Sequence, residues 1–426
     1  MKVHLDSLGC RLNQSEIEGF GRQFRAAGYE LVADPEHSDL VVINTCTVTQ
    51  DAASASRARV RNAHRRQPQA AIVLTGCWST LEQESALALP GVVLAVPNPA
   101  KGALVKQVIG TTSDRFDLDP VARKPLPGIR TRTRAFVKAQ DGCDHHCTFC
   151  LTTLARGPAS SLPIDHVVNQ VRAAVAGGAQ EAVISGVQLS GYGSGLPGNP
   201  RLTDLVQAVL ERTEIPRLRL SSLEPWGLPE GFFSLWQDPR LCRQLHFPLQ
   251  SGSPSTLRRM GRPTRPSGYS QLVERARRAI PGLAVTTDLI AGFPGETETE
   301  FQESLRFAEQ MQFADAHVFP YSARPGTGAA RLPDRVDPME AKARAQTLRL
   351  AVADSASSYR RQFVSRRLDV LWEAGSRLGP DGWTLSGWSD NYIRVTTKAP
   401  QDLWNRICTV LIEESTQDGL IGRLTS

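Results

Sequence analysis

Near the middle of the chain stands the segment Cys143-Asp144-His145-His146-Cys147-Thr148-Phe149-Cys150. Its three cysteines are separated by three and two residues, and an apolar run that predicts a strand comes just before it. Five further strand-like runs follow, and helical patterns separate most of them. The six predicted strands are Ala135–Gln140, Ala182–Ser185, Leu218–Ser221, Gln244–Phe247, Ala284–Leu289 and Ala316–Tyr321.

This alternation predicts an α/β fold with parallel strands joined by right-handed crossovers. Six units cannot be assumed to close like an eight-strand barrel, so we expect a partial (βα)6 barrel over residues 133–363. An open doubly wound sheet is the alternative. In either arrangement the functional residues should lie at the carboxyl ends of the strands, where the cysteine segment also falls.

The regions on either side have a different character. Residues 1–110 predict a small α/β domain with a mostly parallel sheet, whose strands are Val3–Leu8, Leu40–Asn44 and Ala71–Thr75. Residues 111–132 are rich in proline and polar side chains, which is typical of a linker. Residues 364–426 contain short apolar runs without helical periodicity, and they predict a small all-β domain such as a five-strand barrel.

Composition limits the class of protein. The chain has 426 residues, a net charge of +6, 41% hydrophobic residues and 22% charged residues, as in ordinary globular proteins. It lacks the roughly 18 consecutive apolar residues of a membrane helix. Its first residues do not resemble a signal peptide. We therefore expect a cytoplasmic protein that does not associate with a membrane, and we do not expect a disulfide framework.

Three thiolates at this spacing suit one side of a 4Fe-4S cluster whose fourth iron stays open. That iron can chelate S-adenosylmethionine and, as an electron donor, cleave it to a 5′-deoxyadenosyl radical, which is chemistry that belongs to the cofactor. The alternative is a structural zinc site with His145 or His146 as the fourth ligand. Zinc sites usually present two ligand pairs, and no second pair follows nearby.

Three more cysteines, Cys10, Cys46 and Cys77, each end a predicted strand and lie 36 and 31 residues apart. A βα unit takes about 30 residues or more, so successive units bring the three thiols to one edge of the sheet. Gly9 and Gly76 would let the backbone approach a bulky group closely. The alternative without a shared function is three unrelated buried thiols. Cys242 and Cys408 are predicted to be buried or incidental thiols.

The flanking residues Gly142 and Ala155-Arg156-Gly157-Pro158 make the central motif resemble that of the radical SAM methylthiotransferases. The resemblance spans nearly the whole chain and implies an N-terminal cluster domain, a radical SAM core and a C-terminal TRAM domain, whose motif resembles Gly387–Val395. It implies two 4Fe-4S clusters, one on Cys143, Cys147 and Cys150 and an auxiliary one on Cys10, Cys46 and Cys77. No protein side chain is assigned as catalytic, because the clusters and S-adenosylmethionine carry the chemistry.

Strand-end segments in the same order as in the family give the candidate contacts to S-adenosylmethionine. They are Phe149, Gly186, Gln188, Glu224, Gln250 and Ser251. Arg156 is a candidate contact to the cofactor or to RNA, with a surface salt bridge as the alternative. The segment Leu151–Leu154 differs from the usual sequence of the family at this position, which affects the expected shape of the substrate channel.

The sequence Asn44-Thr45-Cys46-Thr47-Val48-Thr49 resembles that of the subgroup that modifies threonylcarbamoyladenosine at tRNA position 37. The segment Pro320–Thr327 also matches this subgroup. This implies a methylthio group at carbon 2 of the adenine, a tRNA substrate, an electron donor and a sulfur source. The alternatives within the family are isopentenyladenosine in tRNA or an aspartate of a ribosomal protein. An alternative of another class is a redox-sensing iron–sulfur or zinc module.

Arginine clusters are the candidate contacts to RNA phosphates, and a solvated helix face is the alternative. Aromatic side chains of the last domain could stack on bases, although core packing would explain them equally well. The candidates are Arg57, Arg59, Arg61, Arg65, Arg66, Arg130, Arg132, Tyr392 and Arg394, with Trp388 as a further stacking residue.

Overall fold

The computed structural model describes residues 1–110, 133–374, 376–380 and 382–425. The predicted linker, with Arg130 and Arg132, therefore lies outside the described residues. Within the described part of the chain, no helix combines the length and apolar character needed to cross a membrane.

The N-terminal region is a five-stranded parallel sheet in the order β2-β1-β3-β4-β5, with helices between the strands. The central strand β3 is buried at every position, which explains its unbroken apolar run. The elements are β1 Lys2–Ser7, α1 Arg11–Ala26, β2 Glu30–Val32, β3 Leu40–Thr45, α2 Gln50–Arg66, β4 Ala71–Gly76, α3 Cys77–Leu81, α4 Gln83–Leu87, β5 Val92–Val96 and α5 Leu104–Ile109.

The central region contains the six predicted strands, with ends within three residues of the prediction. They form two three-stranded parallel sheets, which are joined by bridges at Leu218–Leu241 and Ser222–His246. The elements are β6 Arg134–Lys138, β7 Gln140–Asp141, α6 Thr152–Arg156, β8 Ser160–Ser161, α7 Ile164–Ala176, β9 Glu181–Ser185, α8 Leu202–Arg212, β10 Arg217–Leu220, β11 Gln244–His246, α9 Pro254–Arg259, α10 Pro266–Ala279, β12 Ala284–Ala291, α11 Glu298–Met311, β13 Asp315–Pro320 and α12 Pro338–Arg361.

The spatial order of these strands is β6-β9-β10-β11-β12-β13, which is also their order along the chain. A doubly wound sheet would reverse direction at a switch point, so that alternative is wrong and the partial barrel is confirmed. Local signals fix the helix ends. Thr297 begins α11 with a capping box: its Oγ1 accepts from Glu300 N at 3.3 Å, and its own N donates to the Glu300 carboxylate at 3.0 Å.

The C-terminal region confirms the small all-β barrel. Five strands close in the order β14-β18-β19-β17-β16, and β16 pairs again with β14. The short strand β15 pairs with β16 outside this ring. The elements are β14 Arg367–Trp372, β15 Arg377–Gly379, β16 Gly382–Ser389, β17 Arg394–Ala399, β18 Ile407–Ser415 and β19 Leu420–Leu424.

Candidate active site

The three N-terminal cysteines meet at the carboxyl edge of the first sheet. Cys46 follows β3 directly, Cys77 follows β4, and Cys10 immediately precedes α1. The thiols are close enough that the charges of Cys10 and Cys77 affect the pKa of Cys46, which burial raises to about 11. A thiol with so high a pKa stays protonated at neutral pH until a metal binds, so metal binding here would release protons.

Two glycines make this convergence possible. Gly9 has φ +92°, and a Cβ at this position would lie 2.6 Å from Cys46 Sγ. Gly76 has φ +102°, and its Cβ would lie 2.2 Å from the carbonyl oxygen of Thr45. Both positions therefore exclude any side chain. The structure thus gives these glycines a role in letting neighbouring cysteine segments approach one another. Their role in letting the backbone approach a bulky group stays a prediction.

The second thiol triad lies in the loop between β7 and α6. Burial raises the pKa of Cys143 to about 11, and the charges of Cys147 and Cys150 add to the rise. Several groups point at the sulfurs: the backbone N of His145 lies 3.4 Å from Cys143 Sγ, and that of Thr152 lies 3.3 Å from Cys150 Sγ. Such donors are typical of iron–sulfur ligands, so the donor set fits a cluster. The ligand role of all six thiols stays a prediction.

The zinc alternative would take its fourth ligand from His145 or His146. Nε2 of His145 faces Gln188 Nε2 at 2.8 Å and Trp226 Nε1 at 3.1 Å. His145 is thus half-buried and held by these contacts, whereas His146 is exposed.

Of the residues expected to contact the cofactor, Gln188 and Glu224 lie beside the second triad, and Gly186 follows the same strand as Gln188. Gln188 Oε1 lies 3.4 Å from Cys143 Sγ. A Cβ at Gly186 would lie 2.9 Å from Gln140 Oε1 and 3.1 Å from Gln140 Cβ, so a side chain there would displace Gln140. Glu224 pairs with Arg262 at 2.9 Å, and burial still raises the pKa of its carboxyl group. These residues lie at the carboxyl ends of β9 and β10, where the fold places functional groups.

The other three candidates differ among themselves. Phe149 and Gln250 line a cavity beside the triad, and Gln250 adopts a left-handed backbone conformation with φ +74°. The Ser251 hydroxyl is fully buried and bonds to the Ser304 hydroxyl at 2.8 Å, which is a structural contact. Contact of each of these residues with S-adenosylmethionine stays a prediction.

Sequence reasoning missed Arg262 and Trp226. The guanidinium of Arg262 lies 4.6 Å from the Trp226 ring centroid, donates to Glu224, and has NH1 3.9 Å from Cys147 Sγ. An arginine in this position brings positive charge to the Cys147 sulfur and holds the carboxylate of Glu224 in place. The sequence offered one signal for this contact, which is that the bulky Trp226 directly follows Glu224 and Pro225.

One cavity among the described residues touches both triads. Its wall includes Cys77 from the first triad and Cys150 from the second, and its volume is about 190 Å³. The N-terminal region contributes Thr47 and Val48 to the wall, and the barrel contributes Asp288 and Phe319 among others. Burial would raise the pKa of Asp288, but the His246 side chain 3.3 Å away lowers it.

Contacts hold the N-terminal region against the barrel around this cavity. Arg324, after β13, donates to the Thr47 hydroxyl, and Gln50 Nε2 donates to the Ala323 carbonyl at 3.3 Å. Arg156 is buried and pairs with Glu16 at 3.1 Å. The expected alternative of a surface salt bridge is therefore wrong for Arg156, since its ion pair is internal.

The candidate RNA contacts divide by environment. In α2, Arg59 pairs with Asp6 at 3.1 Å, and Arg66 pairs with Asp34 and Glu36 at 2.7 and 2.8 Å. Arg61 and Arg65 are exposed on the same helix. Arg57 is partly buried, with its guanidinium 5.9 Å from the Trp78 ring centroid.

The last domain's candidates differ from one another. Arg394 is exposed and donates to the Ser386 hydroxyl at 2.9 Å. The Tyr392 ring stacks on Trp388 at 4.6 Å, and three guanidinium groups lie within 4.8–5.6 Å of it. Burial alone would raise the pKa of Tyr392, but these cations lower it. Base stacking on Tyr392 stays a prediction, and it competes with these internal contacts.

Family models match two parts of the chain. Residues 2–96 match the uncharacterized protein family UPF0004, and residues 137–308 match the radical SAM superfamily. The first match covers the first thiol triad and the second match covers the other triad.

Relatives match over nearly the full length. The threonylcarbamoyladenosine tRNA methylthiotransferase MtaB of Bacillus subtilis is 33% identical over 96% of this chain and 93% of the relative. The protein of that name from Thermotoga maritima is 32% identical over 92% and 90%. The tRNA-2-methylthio-N(6)-dimethylallyladenosine synthase of Geobacter sulfurreducens is 30% identical over 100% and 97%.

Among solved structures, the radical S-adenosylmethionine methyltransferase TsrM from Kitasatospora setae matches with a TM-score of 0.57 and 14% identity. The match covers 77% of this chain and 76% of that one. At this identity the likeness supports the fold alone.

Proposed function

This chain belongs to the radical SAM methylthiotransferases, and from that membership we propose that it inserts a methylthio group at carbon 2 of threonylcarbamoyladenosine in tRNA. The full-length similarity to two threonylcarbamoyladenosine enzymes supports this substrate. The sequence around Cys46 also resembles that of this subgroup. The modified base would be the adenosine at position 37, beside the anticodon.

The observation that carries the proposal is the cavity with Cys77 on one wall and Cys150 on another. Replacing an unactivated C–H bond by a C–S bond needs two kinds of chemistry at one carbon atom. A cavity in contact with both thiol triads offers one place where both can act. A redox-sensing module would not need this shared space.

We assign Cys10, Cys46 and Cys77 to an auxiliary 4Fe-4S cluster and Cys143, Cys147 and Cys150 to the radical SAM cluster. When bound, the clusters and S-adenosylmethionine supply the radical that breaks the C–H bond and the methylated sulfur that replaces the hydrogen. The chain's own residues bind and orient. Gln188 and Glu224, beside the second triad, and Gln250, in the cavity wall, offer polar groups to the cofactor. Thr47 and Asp288 in the cavity wall offer polar groups to the nucleoside.

The function requires partners that this chain does not contain. We propose a one-electron reductant for the radical SAM cluster and a separate source of sulfur. Because the substrate is tRNA, we propose a cytoplasmic location. The corresponding division of the chain is a cluster domain at 1–110, a linker at 111–132, a radical SAM core at 133–363 and a TRAM domain at 364–426.

Mass spectrometry of tRNA nucleosides from cells that lack the protein tests the substrate. We expect methylthio-threonylcarbamoyladenosine to disappear and its unmodified precursor to accumulate, while methylthio-isopentenyladenosine stays at its normal level. Loss of the isopentenyl product instead would assign the chain to the other tRNA substrate. Intact tRNA with an unmodified ribosomal-protein aspartate would overturn the proposal.

Reconstituted protein tests the class of function. Under reducing, anaerobic conditions it should release 5′-deoxyadenosine from S-adenosylmethionine, and a Cys150→Ala variant should not. A redox sensor would release none in either form.

A further inference from the structure

Two short helices bring the thiol triads together. Helix α3 begins at Cys77, and helix α6 begins two residues after Cys150. Asn98 lies between them. Its Nδ2 donates to the carbonyl oxygen of Ala155 in α6 at 2.8 Å and lies 3.6 Å from Cys77 Sγ. One amide group therefore contacts a ligand of the first triad and the helix that follows the second.

Arg156, the last residue of α6, connects the same helix to the other two N-terminal cysteines. Its NH2 donates to Asn13 Oδ1 at 2.6 Å. Asn13 Nδ2 in turn donates to the carbonyl oxygens of Leu8, at 2.8 Å, and Thr45, at 3.1 Å. These carbonyls belong to the segments that carry Cys10 and Cys46. Arg156 thus reaches both segments through one intervening side chain.

The charges around Arg156 keep it in place. Its NH1 contacts Glu16 Oε1 at 3.1 Å and Asp141 Oδ1 at 2.9 Å, and Lys101 holds the other oxygen of Glu16 at 2.7 Å. Burial alone would raise the pKa of Glu16, but Lys101 and Arg156 lower it, so the carboxylate is ionised at neutral pH. A buried ion pair adds little net stability, because desolvation offsets the Coulomb attraction. Its directional contacts still fix geometry.

We propose that Asn98 and Arg156 are positioning residues that hold the first thiol triad at a set distance from the second. This inference rests on the proposed function, in which cofactor cleavage and sulfur transfer must act on one carbon. A displacement of ~1 Å can lower the rate of a correctly aligned reaction by about 10²-fold. Loss of either contact should therefore uncouple the two events: cofactor cleavage continues, and methylthio transfer falls.

The test compares Asn98→Ala and Arg156→Lys with the wild type, each reconstituted with iron and sulfide. Lysine keeps the positive charge but not the fork that reaches Glu16, Asn13 and Asp141 together. The matched control is Arg243→Lys, because Arg243 also makes a double contact between regions, with Asp390 at 2.6 and 3.0 Å, away from both triads.

Two quantities are measured. The first is the ratio of 5′-deoxyadenosine to methylthio-threonylcarbamoyladenosine, which should rise about tenfold or more in both variants and stay constant in the control. The second is the distance between the two reduced clusters by pulsed electron paramagnetic resonance. The distance distribution should broaden in both variants at unchanged iron content.

The two readouts separate the two proposals. Broadened distances with no methylthio product from the wild type would support the positioning role and overturn the proposed function. An unchanged ratio and an unchanged distance distribution, alongside an active wild type, would overturn the positioning role alone. Selective loss of iron from the first triad would also overturn it, since the residues would then retain the cluster itself.

Discussion

Arg219 and Glu181 form a double ion pair inside the barrel, with both side chains fully buried. Arg219 Nε lies 2.7 Å from one carboxylate oxygen, and NH2 lies 3.2 Å from the other. The Tyr392 ring from the C-terminal barrel covers the guanidinium, with 4.8 Å between its centroid and Cζ. A charged pair therefore closes the amino-terminal end of the (βα)6 barrel where the last domain packs on it.

Breaking this pair from one side should destabilise the barrel. Glu181→Gln leaves a buried guanidinium without its counter-charge, and we expect a loss of about 3–5 kcal/mol in the free energy of unfolding. Chemical denaturation of the protein measures this loss. The double variant with Arg219→Met removes both charges and should lose less than Glu181→Gln alone. A larger loss in the double variant would contradict this account.

The same pair predicts an acid-dependent stability. Burial alone would raise the pKa of Glu181, but Arg219 lowers it to about 2, below the usual value of 4.5. The stabilisation is fully present above pH 4.5 and is lost as the pH falls towards 2. Thermal melting recorded across this range should show a steeper fall for the wild type than for Glu181→Gln. Parallel curves would show that other carboxylates dominate acid unfolding.

Each triad should hold its own cluster. Cys77→Ala should lower the iron content from about eight to about four atoms per chain, and Cys150→Ala should do the same. The two half-loaded proteins differ in one respect: only Cys77→Ala should still cleave S-adenosylmethionine. Anaerobic iron and sulfide counts, with 5′-deoxyadenosine release, measure both effects. Cys242→Ala is the control, because this buried thiol lies outside both triads.

The close approach at Gly76 can be separated from its backbone strain. Gly76→Ala should destabilise the first domain and lower its iron content, because the new Cβ meets the Thr45 carbonyl at 2.2 Å. Gly28→Ala is the matched control: its φ is +82° but nothing lies within 4 Å of the added Cβ. It should lose only about 1–2 kcal/mol of backbone strain. Equal losses in the two variants would mean that contact with Thr45 has no effect.

Helix α2 allows a charge-matched test of tRNA binding. Arg61→Gln with Arg65→Gln removes two exposed cations and should reduce the slope of log affinity against log salt by about 1–2. Arg59→Gln with Arg66→Gln removes the same charge from residues that already pair with acidic side chains. Filter binding at several salt concentrations compares them. A larger effect from the second pair would contradict phosphate contact by Arg61 and Arg65.

The sequence predicted most of the fold because parallel strands that are buried on both faces consist of continuous apolar runs. The three predicted N-terminal strands and all six barrel strands are present. The strands that it missed include the edge strands Glu30–Val32 and Val92–Val96, which are only partly buried, and in the last region Leu420–Leu424 and Gly382–Ser389. The buried residues of the strand Gly382–Ser389 are Leu385, Gly387 and Ser389, so it lacks a recognisable apolar run.

The candidate site was predictable where spacing along the chain sets position in space. This holds for both cysteine triads. The thiols of the first triad lie near the ends of neighbouring strands, and those of the second lie in one loop. Arg262 and Asn98 could not be found in this way, because their roles depend on contacts with Cys147 and Cys77 across the fold. Tyr392 is the opposite case. Its position in the last domain suggested stacking on RNA bases, but its ring lies largely among arginines of other domains.

The mixed wall of the cavity affects how the enzyme could be engineered. Thr47 and Val48 come from the first domain, whereas Phe319 and Ser322 come from the barrel. A chimera that takes residues 1–110 from a relative with another substrate would replace only the smaller part of this surface. Retargeting the enzyme to a different nucleoside therefore requires exchange of both parts together, because selectivity belongs to the paired regions and to neither one alone.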